Sequence, residues 1–432
     1  MTETYRLAFP NHPNTPYTHV SYGLPFVEAC VKHVTQTFNS QRTYIIGSTS
    51  LSKQTANVKN LEEALARTGR HAGTWIGIRP HTPFDDLIPI IKDMRAKNAD
   101  LLVTLGGGSL IDGAKIIIYA LANGVQTLED LYAILELSET DSGAPAKYLR
   151  DRSNIGNPPT VPMVFIPTTL SGGEYSRYGG GTDPRSHAKT IMTHPKMYAS
   201  LIILDPGLCL TTTPDWVWLS TGVRAIDHAV EGRCMLTCPP EIEGEAEKAL
   251  GLLIPNLLKT NPKNKDKFPE AERIEAALQC QLAVNYVLVM LLYSPQILLA
   301  GGSHGIGHQL GPLGGIGHGQ TSCILLPAVL KYNKRVNGDR QEKVKNVIWE
   351  SDPVVRELLK EAGLDETSSD ASDALDVVFR ALGMPRTLSE VGVGHDKFAV
   401  LADNSVKDPC CVVNPISLEK PEQVMEILEM VA

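Results

Sequence analysis

An apolar stretch that runs into three consecutive glycines, LLVTLGGGS at 101–109, is the feature that most limits how this chain folds. A short apolar run that ends at glycine is typical of a buried strand. The next segment, LIDGAKIIIYALANG at 110–124, has the length of a helix and stops at a glycine. A strand, a glycine turn and a helix in this order predict an α/β fold, in which parallel strands are covered by helices.

The same alternation extends over the first half of the chain, whereas the second half has mostly helical periodicity. We therefore predict an α/β N-terminal domain with a parallel sheet at 1–204 and an all-α C-terminal domain at 205–432. The range 137–161 is rich in serine, glycine, proline and charged residues, which predicts a surface loop. Further strand signals lie at 42–51, 73–80, 161–170 and 190–206, and helical signals at 61–69, 87–99, 240–260 and 270–292.

The bulk composition excludes several classes of partner. The formal net charge is −8, so no basic surface favours nucleic acid or anionic lipid. We find no run of about 18 apolar residues, the length of a membrane span, and the first residues lack the pattern of a signal peptide. The eight scattered cysteines are typical of reduced thiols in a cytoplasmic protein. We expect a cytoplasmic protein whose partner is a small molecule.

The glycine turn predicts a phosphate site at Gly106, Gly107, Gly108 and Ser109. Glycines let the backbone approach a ligand closely, and the N–H groups at the start of a helix hold anions. A dinucleotide pyrophosphate suits such a turn, which makes the N-terminal domain nucleotide-binding; a tight turn without a ligand is the alternative. We expect Asp112 in the first turn of the helix and Lys115 either exposed or facing the pyrophosphate.

A second group of chemically active residues lies in the C-terminal half. GGSHGIGHQLGPLGGIGHGQ at 301–320 contains His304, His308 and His318. STGVRAIDHAVEG at 220–232 predicts a helix on which Arg224 lies four residues before His228, on the same face. Histidine is the usual ligand of borderline metals and the usual general acid or base near neutral pH. Structural or surface histidines are the alternative.

Four segments together make the chain resemble the iron-containing alcohol dehydrogenase family, and within it the maleylacetate reductases. They are GGGSLIDGAK, PTTLSGGEYS, HGIGHQLGPLGGIGHG and the C-terminal NPISLEKPEQVMEILEMV. The resemblance implies a dehydroquinate synthase-like fold, with a nucleotide-binding α/β domain and a helical domain. It also implies that Thr168 and Thr169 line the cofactor and that the protein is a homodimer.

The resemblance makes Arg224 the decisive residue. In metal-dependent members an aspartate and three histidines bind a divalent ion, and the matching positions are Arg224, His228, His304 and His318. A +2 and a +1 charge ~4 Å apart repel by about 8 kcal/mol at an effective dielectric of ~20. We therefore expect no metal; if one binds, His228, His304 and His318 would hold it. Maleylacetate reductases also lack the aspartate and need no metal.

Two further acidic residues accompany Arg224. Asp227 is one position from His228, about 100° around the helix, so we expect it to point elsewhere. Glu231 matches a family glutamate that is not a ligand. We expect Arg224 to bind an anionic group or to polarise a carbonyl. The alternative is that it only neutralises Glu231 or Asp227.

The histidines receive separate expected roles. His308 and His304 are candidate proton donors, and His228 and His318 shape the pocket. For the cofactor, Gly47 leaves room at the end of the first strand and Ser48 carries no negative charge to repel a 2′-phosphate. Lys53 supplies a cation nearby, so NADP(H) is favoured over NAD(H).

These expectations combine into a metal-independent, NAD(P)H-dependent reductase. It transfers a hydride to a carbonyl or an activated C=C bond of a small, anionic or polar substrate. Three alternatives stay open: a metal-dependent alcohol dehydrogenase, a non-redox isomerase or lyase on the same scaffold, and a silent binding protein that retains only the cofactor site.

Overall fold

The structure, a computed structural model, describes residues 2–12, 17–136, 156–185, 189–293 and 299–432. The chain divides into two compact units, Met1–Thr212 and Thr213–Ala432. The boundary predicted at 204/205 falls at the end of the last strand of the first unit. Of the loop predicted at 137–161, residues 137–155 lie outside the described residues, and 156–161 form no helix or strand.

The first unit is an α/β domain. Its strands are β1 Thr4–Leu7, β2 His19–Tyr22, β3 Thr43–Gly47, β4 His71–Ile76, β5 Leu101–Gly106, β6 Met163–Pro167, β7 Tyr178–Thr182, β8 Lys189–Thr193 and β9 Leu201–Leu204. Its helices are α1 Phe26–Gln36, α2 Thr49–Gln54, α3 Asn57–Arg67, α4 Phe84–Ala96, α5 Gly108–Ala122, α6 Leu128–Glu136 and α7 Pro206–Thr212.

Seven strands form one mostly parallel sheet in the order β1-β2-β9-β6-β5-β3-β4. All neighbours are parallel except β1, which runs antiparallel to β2 at one edge. The remaining strands, β7 and β8, form a separate antiparallel pair. The central strands β3, β5, β6 and β9 are buried along their whole length, as expected for strands with helices on both faces. The predicted α/β class with a parallel sheet is confirmed.

One apolar core joins this sheet to helices of the first unit. Ile45, Val103 and Ile166, from three adjacent strands, pack in one cluster with Leu61 and Leu65 of α3. Leu61 and Leu65 are four positions apart in α3, so they lie on the same helix face and cover the sheet together.

The second unit, within the described residues, is helical. Its helices are α8 Asp215–Cys234, α9 Pro240–Thr260, α10 Glu270–Leu288, α11 Gly302–Gly314, α12 His318–Glu350, α13 Pro353–Glu361, α14 Ala371–Ala381, α15 Phe398–Ser405, α16 Pro409–Val413 and α17 Pro421–Glu429. Helix α12 is interrupted at Asn337, whose backbone leaves helical geometry. Ile306 of α11, Leu325 of α12 and Phe398 of α15 belong to one apolar core. The all-α prediction for this half is confirmed.

Among the described residues, one helical stretch, Glu270–Tyr293, has the length and apolar composition of a membrane-crossing helix. Of its most apolar window, 61% is buried inside the protein, and α10 packs against α9. It is a core helix. All eight cysteines are buried and free of disulfides, which agrees with the reduced thiols expected from their spacing.

Candidate active site

In the first unit, the residues predicted to bind the cofactor follow three neighbouring strands. Gly47 ends β3, Gly106 ends β5 and Pro167 ends β6. The strands are parallel, with Gly47 opposite Leu105 and Gly106 opposite Pro167, so their carboxyl ends meet at one edge. In open α/β sheets, ligands bind outside this edge. The topology thus brings Ser48, the glycine turn and Thr168 together.

The glycine turn is shaped for close backbone approach. Gly106 has φ +154°, a conformation that favours glycine, and a Cβ there would come within 3.0 Å of the Ser48 Cβ. A Cβ on Gly107 would lie 3.2 Å from the Thr169 Cγ2. Helix α5 begins at Gly108 without a side-chain cap on its first N–H groups. Uncapped N–H groups at a helix start fit the pyrophosphate of NAD(P).

Lys115 corrects one expectation for this region. Its side chain is fully buried rather than exposed or facing a phosphate. Its Nζ donates to the carbonyls of Gly173 and Tyr178 and to the Ser176 Oγ at 3.2 Å. Asp112, the fifth residue of α5, keeps one carboxylate oxygen 4.0 Å from that Nζ. Lys115 therefore ties α5 to the segment that follows β6.

Glu174 lies buried in the same segment. Burial raises the pKa of Glu174 to about 7, and burial lowers the pKa of Lys115 to about 8. The Glu174 Oε2 has no hydrogen-bond partner among the described residues. Glu174 and Lys115 therefore form a buried titratable pair, which the sequence analysis did not identify.

The basis of the cofactor preference changes in part. A Cβ on Gly47 would lie 2.9 Å from the Val58 Cγ2, so α3 fills the space that the sequence analysis assigned to a ligand. Ser48 precedes α2, and its hydroxyl hydrogen-bonds Ser50 at 2.8 Å. Lys53 is exposed near the end of α2. Gly47 therefore no longer supports a preference for NADP(H). The preference now depends on Ser48, which carries no negative charge, and on the cation Lys53.

In the second unit, three helices bring the four predicted histidines together. His228 lies on α8, His304 and His308 lie on α11, and His318 begins α12. The ring centroids of His228 and His304 are 4.1 Å apart, those of His304 and His308 6.3 Å, and those of His308 and His318 6.2 Å. The i,i+4 spacing on α11 explains why its two histidines share a face.

His304 is held at both ring nitrogens. Its Nδ1 lies 2.6 Å from the Glu231 Oε2, and its Nε2 lies 3.2 Å from the His228 Nε2. The carboxylate assigns the proton to Nδ1, so the His304 Nε2 accepts from His228. Burial lowers the pKa of both histidines well below the ordinary value, and the positive charge of Arg224 lowers both further. Both rings are therefore neutral.

Glu231 holds the start of α11. Its carboxylate accepts the backbone N–H of Gly301 at 2.7 Å and of Ser303 at 2.8 Å, besides the His304 ring. Burial raises the pKa of Glu231, while these N–H groups favour its ionised form. A carboxylate at a helix N-terminus is stabilised by the orphan N–H groups and the dipole. Glu231 thus fixes His304 relative to the backbone.

Arg224 lies beside these groups and is 11% exposed. Its Nη1 donates to the Ser322 Oγ at 2.9 Å and to the Asp227 Oδ2 at 3.3 Å. Asp227 also accepts from the hydroxyls of Ser322 and Ser303. The expectation that Asp227 points elsewhere was wrong, because residues three apart on a helix share a face and arginine is long. Arg224 thus pairs with Asp227, one of the two acidic residues that the alternative interpretation gave it as a partner.

His308 has a different partner. Its Nδ1 lies 3.0 Å from the Asp408 Oδ2, and its side chain is 36% exposed. The other oxygen of Asp408 accepts the N–H of Cys410 at 2.9 Å and so caps α16. Sequence reasoning missed Asp408, Ser303 and Ser322. Only Ser322 had a local signal, since it lies one helical turn after His318.

Among the residues that the structure describes, two groups of donors lie close enough to consider a metal ion: Asp227 with Glu231 and His304, and His308 with Asp408 and Cys410. In the first, the 2.6 Å contact between the His304 Nδ1 and Glu231 is a hydrogen bond, and Asp227 is bound to Arg224. In the second, burial raises the pKa of the Cys410 thiol well above its ordinary value, whereas a thiol ligates metal as thiolate. Neither group fits an ion as arranged.

The family's own histidine set lies beside a fixed positive charge. The positive charge of Arg224 lowers the pKa of His228 and His304, so it already opposes a proton on either ring. The same charge opposes a dication between them more strongly. Arginine offers only donors and cannot complete the ligand set.

Comparison with known proteins defines the family. A family model described as "Iron-containing alcohol dehydrogenase" matches residues 25–206, and one described as "Fe-containing alcohol dehydrogenase family, C-terminal" matches residues 218–432. The chain belongs to the iron-containing alcohol dehydrogenase family. It is 38% identical over 432 residues to "Dehydrogenase FUM7" of Gibberella moniliformis, with 96% of each chain covered.

Two solved structures show the same fold. A 1,3-propanediol oxidoreductase matches with a TM-score of 0.75 and 22% identity, covering 97% of this chain and 98% of that one. The maleylacetate reductase of Agrobacterium tumefaciens matches with a TM-score of 0.69 and 20% identity, covering 95% of each. At these identities the likeness concerns the fold. This member of the iron-containing alcohol dehydrogenase family is an oxidoreductase, and the cofactor class of the family is NAD(P).

Proposed function

We propose that this chain is a metal-independent, NAD(P)H-dependent reductase that transfers a hydride to a carbonyl or an activated C=C bond of a small, anionic or polar substrate. The observation that carries the proposal is the guanidinium of Arg224 beside the histidines. In metal-dependent members, the resemblance places a ligating aspartate at this position. A fixed cation here supplies positive charge without an ion.

Arg224 retains the donors that such a role requires. Both hydrogen bonds of its side chain leave from Nη1, to Ser322 and Asp227. Nε and Nη2 make no hydrogen bond to any residue that the structure describes. The Nε–Nη2 edge of a guanidinium matches a carboxylate through two parallel hydrogen bonds. Ser322 and Asp227 thus hold the guanidinium in place while this edge binds the substrate.

The cofactor is held by the strand ends of the first unit. Gly106, Gly107, Gly108 and Ser109 would receive the pyrophosphate, with Thr168 and Thr169 beside it. When bound, NAD(P)H supplies the hydride. Ser48 and Lys53 favour the 2′-phosphate, so we propose NADP(H) as the preferred form.

The proton comes from a histidine of the cluster. His304 has both ring nitrogens bonded, one to Glu231 and one to His228, so it has no free nitrogen for a substrate. His308 is the more exposed and has one nitrogen bonded, to Asp408. Between the two candidates, the contacts favour His308 as the donor. His304, His228 and His318 then shape the pocket.

The structural likeness to a maleylacetate reductase supports an acidic substrate. We propose a small oxo acid or unsaturated acid as the substrate class, a homodimer as the assembly and the cytoplasm as the location. The test is NADPH and NADH oxidation at 340 nm with maleylacetate, fumarate and 2-oxoglutarate, each beside its methyl ester. We expect the acids to react at least tenfold faster than the esters, since one charged hydrogen bond contributes about 1.5–3 kcal/mol. Faster reaction of the esters, or of simple aldehydes, contradicts the proposal.

A metal-dependent alcohol dehydrogenase is the second candidate, and one distance favours it. The Nε2 atoms of His228 and His304 are 3.2 Å apart. Two histidine nitrogens that bind one tetrahedral ion each lie about 2.0–2.1 Å from it. Their distance from one another is then similar to the distance between these two Nε2 atoms. Ethanol or 1,3-propanediol oxidation that requires an added divalent ion would select this candidate.

A further inference from the structure

We propose that Asp408 is a positioning residue that orients His308 through Nδ1, so that the imidazolium delivers its Nε2 proton to the substrate and ends as the Nδ1–H tautomer. The inference rests on the reductase function proposed above. It adds a residue that the sequence analysis did not identify and assigns it a specific role.

The geometry makes Asp408 a rigid partner. Its Oδ1 accepts the backbone N–H of Cys410 at 2.9 Å, which anchors the carboxylate to the start of α16. Its Oδ2 accepts from the His308 Nδ1 at 3.0 Å. The side chain of Asp408 is 10% exposed, so little water competes for it. Because one oxygen is fixed by the backbone, the position of the other oxygen is fixed as well.

This contact decides which nitrogen of His308 can react. A carboxylate accepts only, so the His308 proton at Nδ1 stays on the Asp408 side. The His308 Nε2 makes no hydrogen bond to a residue that the structure describes. His304 differs, because Glu231 and His228 bind both of its nitrogens. The pairing with Asp408 therefore leaves His308 a nitrogen for the substrate and a carboxylate that stabilises the imidazolium.

The proton step balances with these groups. The carbonyl carbon accepts the hydride from NAD(P)H, the C=O π bond breaks, and the oxygen accepts the proton from the His308 Nε2. The substrate gains two electrons and becomes an alcohol, and the cofactor becomes NAD(P)⁺. For a C=C substrate, the β-carbon accepts the hydride and the α-carbon the proton. His308 changes from imidazolium to neutral imidazole, and its Nδ1–H stays bonded to Asp408.

Asp408→Asn tests the role without removing the helix cap, since asparagine caps as well as aspartate. The chain offers a matched control at Asp352. Its carboxylate accepts the Val354 N–H at 2.9 Å, precedes a proline at the start of α13, and pairs with Lys259 at 3.0 Å. Asp352→Asn therefore removes the same charge, an ion pair included, and keeps the same kind of cap.

We expect Asp408→Asn to lower kcat on the accepted acid about 100-fold, at the low end of general acid catalysis. KM and the dissociation constant of NADPH change less than about twofold, because the substrate-binding arginine and the cofactor edge are untouched. Asp352→Asn changes none of the three by more than about twofold. Equal kcat values for the two variants, or a loss that appears only in KM, overturns the proposal.

A second readout does not need turnover. In protein labelled with ¹⁵N-histidine, two-bond ¹⁵N–¹H spectra distinguish the two tautomers, and His308→Gln assigns the signals. At a pH where the His308 ring is neutral, we expect the Nδ1–H tautomer in the wild-type chain and a mixture in Asp408→Asn; the Nε2–H tautomer in the wild type overturns the proposal. Failure of the reductase function would show instead as absence of NAD(P)H oxidation by the wild-type chain.

Discussion

The two candidate regions of this oxidoreductase differ in what they use for binding. The sheet edge of the first unit presents backbone N–H groups, glycines and small hydroxyls at the ends of three parallel strands. The histidine region of the second unit is built from charged and titratable side chains on α8, α11 and α12 and just before α16, most of them buried. Binding a phosphate requires a backbone shape, whereas moving a proton requires groups whose charge is controlled by burial and partners.

The difference extends to the partners of the charged groups. In the second unit, Arg224, Asp227 and Glu231 form one connected network with His304. In the first unit, Lys115 is bonded mostly to backbone carbonyls, and the Glu174 Oε2 has no hydrogen-bond partner among the described residues. We infer that substitutions in the second unit act on the chemical step, and those in the first act on cofactor choice or stability.

The largest expected effect comes from His308→Ala. Turnover should fall by about 10²–10⁴, the usual contribution of a general acid, while the dissociation constant of NADPH stays within about twofold. Steady-state rates and fluorescence titration of NADPH measure the two quantities. His395→Ala, a histidine on the exposed surface of the same unit, is the control. Weaker NADPH binding with unchanged turnover would remove the distinction between the two regions.

Glu174→Gln tests whether the first unit hides a pH-dependent group. The pKa of Glu174 is raised by burial from 4.5 to about 7, so its stabilising effect is complete below the ordinary value and is lost as pH rises through about 7. Glutamine does not ionise, so the variant does not lose this contribution to its free energy of unfolding as pH rises. Relative to wild type, its free energy of unfolding should therefore increase by about 3 kcal/mol between pH 4.5 and 7.5.

Urea unfolding at the two pH values measures this difference. The matched control is Glu129→Gln, which changes an exposed carboxylate of the same unit. A difference that is independent of pH for Glu174→Gln would mean that the Glu174 carboxylate ionises as in water, and that burial does not raise its pKa.

Arg224→Lys sharpens the account of the second unit. Lysine keeps the positive charge beside Asp227 and Ser322 but cannot form two parallel hydrogen bonds to a carboxylate. We expect kcat/KM for the preferred acid to fall about 30-fold, and that for its methyl ester to change less than about threefold. Equal losses on the acid and the ester would indicate that Arg224 only neutralises Asp227.

The smallest effect is expected at the cofactor edge. Ser48→Asp adds a negative charge where the 2′-phosphate of NADPH is proposed to bind. The ratio of kcat/KM with NADPH to that with NADH should fall about tenfold, equal to about 1.4 kcal/mol. Ser52→Asp, which adds the same charge further along α2, should change the ratio less. A larger effect of Ser52→Asp would place the adenosine ribose elsewhere.

The sequence predicted the features that are encoded locally. β5, the glycine turn and the start of α5 follow one another within twenty residues, and their apolar and glycine pattern is sufficient. β1 and β2 were missed because each has four residues, and residues of β1 such as Tyr5 remain partly exposed. Strands as short as these carry no clear alternation.

The candidate site was less accessible to sequence reasoning. The pairing of His308 with Asp408 joins residues one hundred positions apart, and nothing near either residue signals the other. Lys115 was placed wrongly because its position in the glycine-turn helix suggested a phosphate, whereas backbone carbonyls around it accept its protons. The prediction for Asp227 was wrong because it used only the angle of about 100° between Asp227 and His228 around the helix. It left out Arg224, whose long side chain reaches Asp227 from three positions away.

The central claim is that the Arg224 guanidinium replaces a catalytic metal ion. Its most direct test is elemental analysis of freshly purified, active protein, combined with turnover before and after treatment with a chelator. We predict far less than one divalent transition metal per chain and unchanged turnover after the chelator, whereas Arg224→Asp gains the ability to bind zinc. One zinc or iron per wild-type chain, whose removal abolishes turnover and whose return restores it, would contradict the claim.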